Sequence, residues 1–145
     1  MAVPSDPALD FIRLMWSVDH ELQSISKRMV HRIGLTAPQR LAIRFIGRHP
    51  RITLGMLAEL LHLHPGTVTG IVDHLLQLGF VTRERSTEDV RRVHLTLTPE
   101  GRVLDRRRKG TVEAAVRRVV DSLTSDQLDT ASYVLGRLAE EIASE

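Results

Sequence analysis

The stretch of the chain that most constrains its fold runs from residue 57 to residue 101. Its first part carries apolar residues at helical spacing on both sides of a break before Pro65, which fits the first turn of a helix. Gly79 is suited to end the second helix in the left-handed conformation. Residues 80–85 and 92–98 partly alternate polar and apolar side chains, which predicts a hairpin. This order predicts a winged helix–turn–helix, an architecture that usually holds DNA.

A long helix is predicted before this stretch. Apolar residues recur at steps of three and four from Phe11 to Ile33, which indicates a single apolar seam along a helix. The Asp-Pro pair at residues 6–7 is a start signal for that helix, and Gly34 is suited to end it. A shorter helix is predicted to follow, opened by a capping box at residues 36–39.

Two more helices are predicted after the hairpin. Thr98 is placed to cap the first, which carries apolar residues as far as Leu123 and which Gly110 is expected to bend or loosen. A second capping box begins at Thr124 and opens the last helix. The sequence therefore predicts a mostly α fold with a small β-hairpin wing, in which a winged helix–turn–helix is flanked by long N- and C-terminal dimerisation helices.

The terminal helices carry apolar seams that are longer and more regular than so small a central core requires. We therefore expect them to pair with each other and with a second copy of the chain, although such seams also occur within single chains. Residues 1–35 and 99–145 are then a helical dimerisation region, and residues 36–98 are the DNA-binding lobe of one continuous domain. The residues predicted at the homodimer contact are Phe11, Met15, Val18, Leu128, Leu135, Leu138 and Ile142.

Composition narrows the classes of function. The 145 residues fit one domain, and 42% apolar with 26% charged residues is typical of a globular protein. The absence of cysteine excludes disulfides, thiolate zinc sites and cysteine-based oxidant sensing. The net charge of +2 is unevenly distributed, because residues 121–145 carry six acids and one base. This asymmetry suits a basic ligand-contacting body with an acidic tail helix.

Targeting signals and enzyme motifs are both missing from the sequence. Residues 1–10 contain prolines and acids where a secretory signal needs a charged start and an apolar run. No apolar stretch approaches the ~20 residues of a membrane span, so we expect the cytoplasm and no membrane partner. The chain has no Gly-rich phosphate loop, Gly-x-Ser-x-Gly or His-Glu-x-x-His motif. We therefore expect no enzyme, no catalytic residue and no cofactor.

The second helix of the helix–turn–helix carries little positive charge. Because an α-helix fits the major groove, its outward side chains are candidates for DNA contact, the alternative being a solvated helix face. No Lys or Arg occurs between Arg51 and Arg83, so most attraction for phosphate must come from outside this helix. Its outward positions are Gly66, Thr67, Gly70, His74 and Gln77, with Thr69 at the margin. The arginines outside it are Arg83, Arg85, Arg91 and Arg92 on the hairpin and Arg40, Arg44, Arg48 and Arg51 before it.

The hairpin is suited to the minor groove of DNA. An arginine at a wing tip can enter this narrow groove, where the negative potential is strongest. Asp89 precedes Arg91 by two residues, so its carboxylate can pair with an arginine and fix the direction of that side chain. The alternative is a surface hairpin with a local salt bridge.

Together these residues resemble the MarR family of transcription regulators. The resemblance rests on residues 67–81 of the second helix and on the wing signature at residues 89–101, Asp-x-Arg-x-x-x-Leu-x-Leu-Thr-x-x-Gly. It implies a homodimer that is joined by the terminal helices and binds a pseudo-palindromic operator in double-stranded DNA. It also implies repression relieved by a small ligand, often an aromatic acid or a phenolic compound. This chain departs from the family at Gly70, often arginine, and at His64, usually a serine or threonine N-cap.

The predicted contacts combine the resemblance with the pattern of the residues. The resemblance carries over Thr67, Thr69, Arg91 and Arg92 as DNA contacts. The full predicted set is Thr67, Thr69, Gly70, His74, Arg83, Arg85, Asp89, Arg91, Arg92 and Arg40. The resemblance places an effector between the long helices and the DNA-binding lobe, with Arg13, Trp16 and His20 as candidate lining; the alternative for Trp16 is the core or an interface. A protein-binding winged helix, such as an antirepressor, is the alternative function.

The seven histidines suggest a metal site or a pH effect. His64 and His74 lie ten residues apart on one helix, about 15 Å, and cannot share one metal ion. We expect no metal and interpret the histidines as ordinary surface or hydrogen-bonded residues. If His62, His64 or His74 lies near phosphates, DNA binding should strengthen below pH ~6.5.

Overall fold

The computed structural model describes residues 5–89 and 91–145. The chain is mostly α with one antiparallel hairpin, which confirms the predicted fold class. It divides into two compact units, residues 1–112 and residues 113–145. The helices are α1 (Pro7–Ile33), α2 (Ala37–Arg48), α3 (Leu54–Leu61), α4 (Pro65–Gln77), α5 (Pro99–Arg106), α6 (Val112–Val120) and α7 (Ser125–Ser144), and the strands are β1 (Val81–Arg85) and β2 (Val93–Leu97).

Most helix ends lie where the local sequence signals place them. Asp6 caps α1 by accepting the Ala8 N–H at 2.9 Å, and Gly34 ends that helix with a φ of 74°. Complete capping boxes at Thr36 and Thr124 open α2 and α7. In each case a short polar side chain satisfies backbone groups that the first or last helical turn leaves unpaired.

The core of the first unit lies between α2, α3, α4 and the hairpin. Each of these elements turns one apolar face inward, and the buried residues form one cluster. The prediction that α4 packs through an inward stripe is confirmed for Val68, Val72 and Leu75, while Ile71 is partly buried. The other fully buried members include Leu35, Ala42, Ile43, Ile52, Leu57, Val81 and Leu95.

The hairpin is fastened to the connection between α2 and α3. β1 pairs antiparallel with β2 in a register that places Val81 opposite Leu97. Ile52 forms an isolated bridge to Leu95, whose N–H donates to the Ile52 carbonyl at 2.8 Å. At the base of the wing, β2 is therefore hydrogen-bonded to β1 along one edge and to Ile52 along the other.

The helix predicted to run past Val112 is two helices, and this part of the prediction is wrong. α5 ends at Arg106 and α6 begins at Val112. Gly110 between them has a φ of 79°, a left-handed conformation that a right-handed helix cannot contain. Gly110 therefore separates two helices instead of bending one.

The tightest glycine is Gly101, in the first turn of α5. Thr98 caps this helix by accepting the Gly101 N–H at 3.0 Å, and the Thr98 N–H donates to the Phe80 carbonyl at 3.0 Å. A Cβ at Gly101 would collide with the carbonyl oxygen of Phe80. Because that oxygen belongs to backbone, a larger side chain forces the hairpin and α5 apart.

Replacing Gly101 by alanine is expected to lower the free energy of unfolding by about 2 kcal/mol, as overpacking against backbone does. The matched control is Gly136→Ala in α7, where an added Cβ meets no atom within 4 Å. That variant should gain about 0.5–1 kcal/mol from the helix propensity of alanine. Urea denaturation of both variants checks the prediction, and a neutral Gly101→Ala would contradict it.

Long helices of both units present exposed apolar side chains. On α1 these include Phe11 and Val18, and on α7 they include Leu135 and Ile142, which are 63% and 61% exposed. Met15, Leu128 and Leu138 are partly buried. None of the helices in the described part of the chain combines the length and apolar character needed to cross a membrane.

Candidate nucleic-acid interface

The outer face of α4 carries the side chains that the sequence assigns to DNA contact. Thr67, Gly70 and Gln77 are exposed, and His74 is partly buried. The Thr69 hydroxyl donates to the Pro65 carbonyl at 2.9 Å, so its proton is already used within the helix. Thr67 is therefore better placed than Thr69 to donate to a phosphate or to meet a thymine methyl group.

Gly70 is an open position on this face. A Cβ added there meets no atom within 4 Å, so space around the helix does not explain the absence of a side chain. α4 contains no lysine or arginine from Pro65 to Gln77. The backbone of α4 can therefore approach a groove closely, while attraction for phosphate has to come from neighbouring elements.

His64 caps α4 through its ring. Its Nδ1 accepts the Gly66 N–H at 3.0 Å, which replaces the hydroxyl oxygen of a serine or threonine cap. The same ring lies 3.2 Å from the position that a Cβ at Gly66 would take. Protonation of Nδ1 removes the lone pair that accepts this bond.

Substituting alanine for His64 is expected to lower the free energy of unfolding by about 1 kcal/mol through loss of the cap. His64→Ser and His64→Asn should lose much less, because their side-chain oxygens accept the same N–H. Urea denaturation followed by circular dichroism measures all three variants. Equal losses for serine and alanine would show that the ring acts through packing and not as a cap.

The tip of the wing projects one arginine. Arg91 is 90% exposed, and Asp89 Oδ1 accepts its backbone N–H at 3.0 Å and its Nε at 3.5 Å. The predicted pairing of Asp89 with an arginine is confirmed. The same carboxylate oxygen thus bonds the backbone of Arg91 and lies near its guanidinium, which projects into solvent.

Arg83 connects the hairpin to α4. Its Nη2 lies 2.8 Å from Oδ1 of Asp73, and both side chains are about half exposed. A surface ion pair of this kind contributes little to stability. Its consequence is positional, because it sets the guanidinium of Arg83 beside α4. Arg85, at the end of β1, and Arg92, next to Arg91 in the loop, are also exposed.

Ser86 organises the wing loop (residues 86–89 and 91–92), a role that the sequence analysis missed. Its buried Oγ accepts the N–H groups of Glu88 at 3.2 Å and Asp89 at 3.4 Å. Its own N–H donates to the Arg92 carbonyl at 2.9 Å. The sequence signal for this role is a serine at the first position of a polar turn, where its hydroxyl can accept backbone N–H groups of the residues that follow.

Arg40 does not lie on the DNA-facing surface, and its prediction as a DNA contact is not supported. It is 1% exposed, and its guanidinium donates to the carbonyls of Leu104, Asp105 and Arg107. Arg40 thereby places a positive charge and several N–H donors against the carbonyls at the end of α5. Its neighbour Arg44 pairs with the Asp105 carboxylate at 2.5 Å. Of the other arginines predicted to attract phosphate from before α3, Arg48 and Arg51 are exposed.

The effector candidates lie on one exposed face of α1. Arg13, Trp16 and His20 follow one another at steps of three and four, and Trp16 is 72% exposed. Trp16 is therefore not a core residue of this chain. Among the residues that the structure describes, no group of three or more His, Asp or Glu side chains could hold a metal ion.

Comparison with known proteins gives one consistent result. A model of the MarR family matches residues 35–93. The organic hydroperoxide resistance transcriptional regulator of Bacillus subtilis is 30% identical over 125 residues, which cover 84% of this chain and 84% of that protein.

Many solved structures share the fold. Streptococcus pneumoniae FabT in complex with DNA superposes with a TM-score of 0.71 at 24% identity, over 94% of this chain and 98% of that one. A Mycobacterium tuberculosis MarR family protein in complex with p-aminosalicylic acid gives a TM-score of 0.56 at 27% identity, over 88% and 96% of the two chains.

Proposed function

This chain belongs to the MarR family, and on that premise we propose that it is a transcriptional repressor that binds a pseudo-palindromic operator as a homodimer. The observation that carries the proposal is the exposed Arg91 at the tip of a wing, fixed by Asp89, in the lobe that also exposes the outer face of α4. We infer action in the cytoplasm, where a regulator of this family from bacteria such as Bacillus subtilis meets its DNA.

α4 and the wing contribute to DNA binding in different ways. α4 enters the major groove with Thr67 and the backbone around Gly70 closest to the bases, and it relies on shape more than on charge. Arg91 enters the adjacent minor groove, where the negative potential favours a guanidinium. Arg83, held by Asp73, and the exposed Arg85 and Arg92 supply attraction for the phosphates.

The homodimer is supported by the exposed apolar side chains of α1 and α7. Phe11 and Val18 on α1 and Leu135 and Ile142 on α7 leave apolar surface in contact with water in a single chain. Apolar surface left exposed along a long helix typically marks a contact with another protein. A second copy supplies such a partner and brings a second recognition helix, which a two-fold symmetric operator requires.

Release by a small aromatic acid is the second part of the proposal. The exposed face of Arg13, Trp16 and His20 offers a cation, an aromatic plane and a hydrogen-bonding ring, which suit an aromatic carboxylate. The complex of the Mycobacterium tuberculosis relative with p-aminosalicylic acid supports this ligand class. A thiol-based response to hydroperoxides is excluded for this chain, which has no cysteine.

A protein-binding winged helix is the second candidate function. The observation in its favour is the absence of lysine and arginine from α4. A helix without cations gains little from counterion release, so it suits a protein partner better than a typical recognition helix does. The projecting Arg91 is the observation against it.

The test is selection of bound duplexes from a random pool, with the affinity of the selected sequences measured against salt concentration. We expect enrichment of a two-fold symmetric site with half-sites about one helical turn apart. The mass of the complex from sedimentation should correspond to two chains per duplex. If no sequence is enriched and binding vanishes at moderate salt, the repressor proposal is wrong and the protein-binding candidate takes its place.

A further inference from the structure

A pocket lies between the end of α2, strand β2 and helix α5, within the first unit. Its volume is about 250 Å³, and it is open to solvent. At the ~30 Å³ that one water molecule occupies in the liquid, this is room for about eight groups of that size. Its aliphatic floor consists of the buried Ile46, Leu95 and Leu97 and the exposed Pro50. The pocket therefore gives a small molecule access to the edge of the aliphatic core.

Gly47 determines how closely the walls of this pocket approach one another. A Cβ at this position would lie 2.6 Å from Oδ2 of Asp105 and 3.0 Å from Cδ1 of Leu97, and both residues line the pocket. A glycine within a helix costs about 1 kcal/mol relative to alanine. In α2 this cost has a structural reason, because the missing side chain lets α5 and β2 close on the helix.

The charges at the pocket favour an anion. Arg102 and Arg106 line it from α5, where they lie four residues apart on one side of the helix, and both are exposed. The acidic residue of the described lining, Asp105, is bound by Arg44 at 2.5 Å, and Arg44 lies outside the lining. Neither Arg102 nor Arg106 forms an ion pair in the part of the chain that the structure describes. Two guanidinium groups are therefore left without a carboxylate partner.

Arg102 is held at the edge of β2, beside the aliphatic floor. Its Nη1 donates to the Leu97 carbonyl at 3.2 Å. A guanidinium presents several N–H groups in one plane, in a geometry that matches the two oxygens of a carboxylate, and this contact uses only part of that set. A carboxylate bound by Arg102 therefore lies next to aliphatic surface that can take up its chain.

We propose that this pocket binds a small saturated carboxylate, with its acid group on the two guanidinium groups and its chain on the aliphatic floor. None of the described side chains of the lining is aromatic, so an aromatic ring gains no stacking there. A volume of about eight water-sized groups fits hexanoate, which has about that many non-hydrogen atoms. The site is separate from the face of α1 proposed for an aromatic acid, and the inference does not depend on DNA binding.

The test follows the methyl signals of the intact protein by ¹H–¹³C correlation during titration with hexanoate at constant pH and ionic strength. We expect saturable shifts of the methyl groups of Ile46, Leu95 and Leu97. Hexan-1-ol has the same chain without the charge and should bind at least about tenfold more weakly. The fluorescence of Trp16, the single tryptophan, reports on the face of α1 and should not change.

Variants of the two arginines separate a direct contact from general surface charge. Arg102→Gln and Arg106→Gln should each weaken hexanoate binding about three- to tenfold, because each removes a charge-assisted contact. Arg107→Gln is the matched control, since this exposed neighbour on the chain carries the same charge but does not line the pocket. Its affinity for hexanoate should equal that of the native protein.

Four outcomes would overturn the proposal. The first two are methyl groups of the floor that do not respond to hexanoate, and methyl groups that respond equally to hexan-1-ol. The third is Arg107→Gln weakening binding as much as Arg102→Gln, which would show only general attraction by surface charge. The fourth is benzoate binding in the pocket about tenfold more tightly than hexanoate, which would exclude the saturated class. No duplex is present in these titrations, so their result is independent of the repressor proposal.

Discussion

Replacing Arg40 by alanine is expected to lower the free energy of unfolding by about 3 kcal/mol or more. Arg40 is buried, and its guanidinium serves three carbonyl groups at the end of α5. Hydrogen bonds to charged groups contribute about 1.5–3 kcal/mol each, and the variant loses three of them, while each carbonyl keeps a second donor from Arg44, Arg108 or the Arg107 N–H. The deleted side chain also leaves a cavity between α2 and α5.

Three further variants separate the causes of this loss. Arg40→Met fills much of the volume but offers no donor. It should therefore recover only the part of the lost unfolding free energy that comes from the cavity. Arg40→Lys keeps the charge but not the planar fork that reaches several carbonyls, so it should lie between methionine and the native residue. Arg48→Ala, an exposed arginine on the same helix, should change the stability by less than about 0.5 kcal/mol.

The same variants decide between the buried role and a DNA contact. Guanidinium chloride denaturation measures stability, and the slope of log affinity against log salt measures lost phosphate contacts. The structure predicts a stability loss for Arg40→Ala with an unchanged salt slope in the remaining folded protein. Unchanged stability with a slope reduced by about one would restore Arg40 as a DNA contact.

Signals carried within a few residues were sufficient to predict most of the fold. Asp6, Thr36, Thr53 and Thr124 each cap the helix that follows them, because the bond runs from the cap to a backbone group two or three residues later. The inward stripe of α4 follows from helical spacing alone. The Asp89–Arg91 pair is also local, with one intervening residue.

The features that sequence reasoning missed depend on partners far along the chain. Arg40 resembles any helix-surface arginine in sequence, and its carbonyl partners lie more than 60 residues later. The absence of cations from α4 led to the prediction of Arg40 as a DNA contact, which its burial does not support. The pocket beside Arg102 has the same origin, since its walls come from α2, β2 and α5, which only the tertiary fold brings together.

The break between α5 and α6 shows a different limit of prediction from sequence. The sequence placed Gly110 within a helix, where a glycine costs only about 1 kcal/mol and does not by itself end the helix. In the structure the end of α5 is fixed by Arg40, which takes the carbonyls that the next helical turn would have used. A local weakness at Gly110 thus becomes a break because a distant side chain stabilises it.

The Arg91→Ala variant is expected to bind every duplex about 10- to 100-fold more weakly and to show a smaller salt slope by about one. Arg91 is 90% exposed at the tip of the wing, and loss of a charge-assisted contact of about 1.5–3 kcal/mol corresponds to this range. Fluorescence anisotropy with the selected operator and with a scrambled duplex at several salt concentrations measures both quantities. Lys27→Ala, which removes a charge on α1, should change neither.

Substitutions of Asp89 provide the decisive comparison. A role through charge and a role in positioning Arg91 predict opposite changes in DNA affinity. If the wing acts through net charge alone, Asp89→Ala removes a repelling carboxylate and should strengthen binding. If Asp89 holds Arg91 through the 3.0 Å bond to its N–H, the same variant should weaken binding several-fold. Asp89→Asn keeps an oxygen for that bond without the charge, so positioning predicts that it recovers most of the affinity. We expect the positioning result, and tighter binding by Asp89→Ala would contradict it.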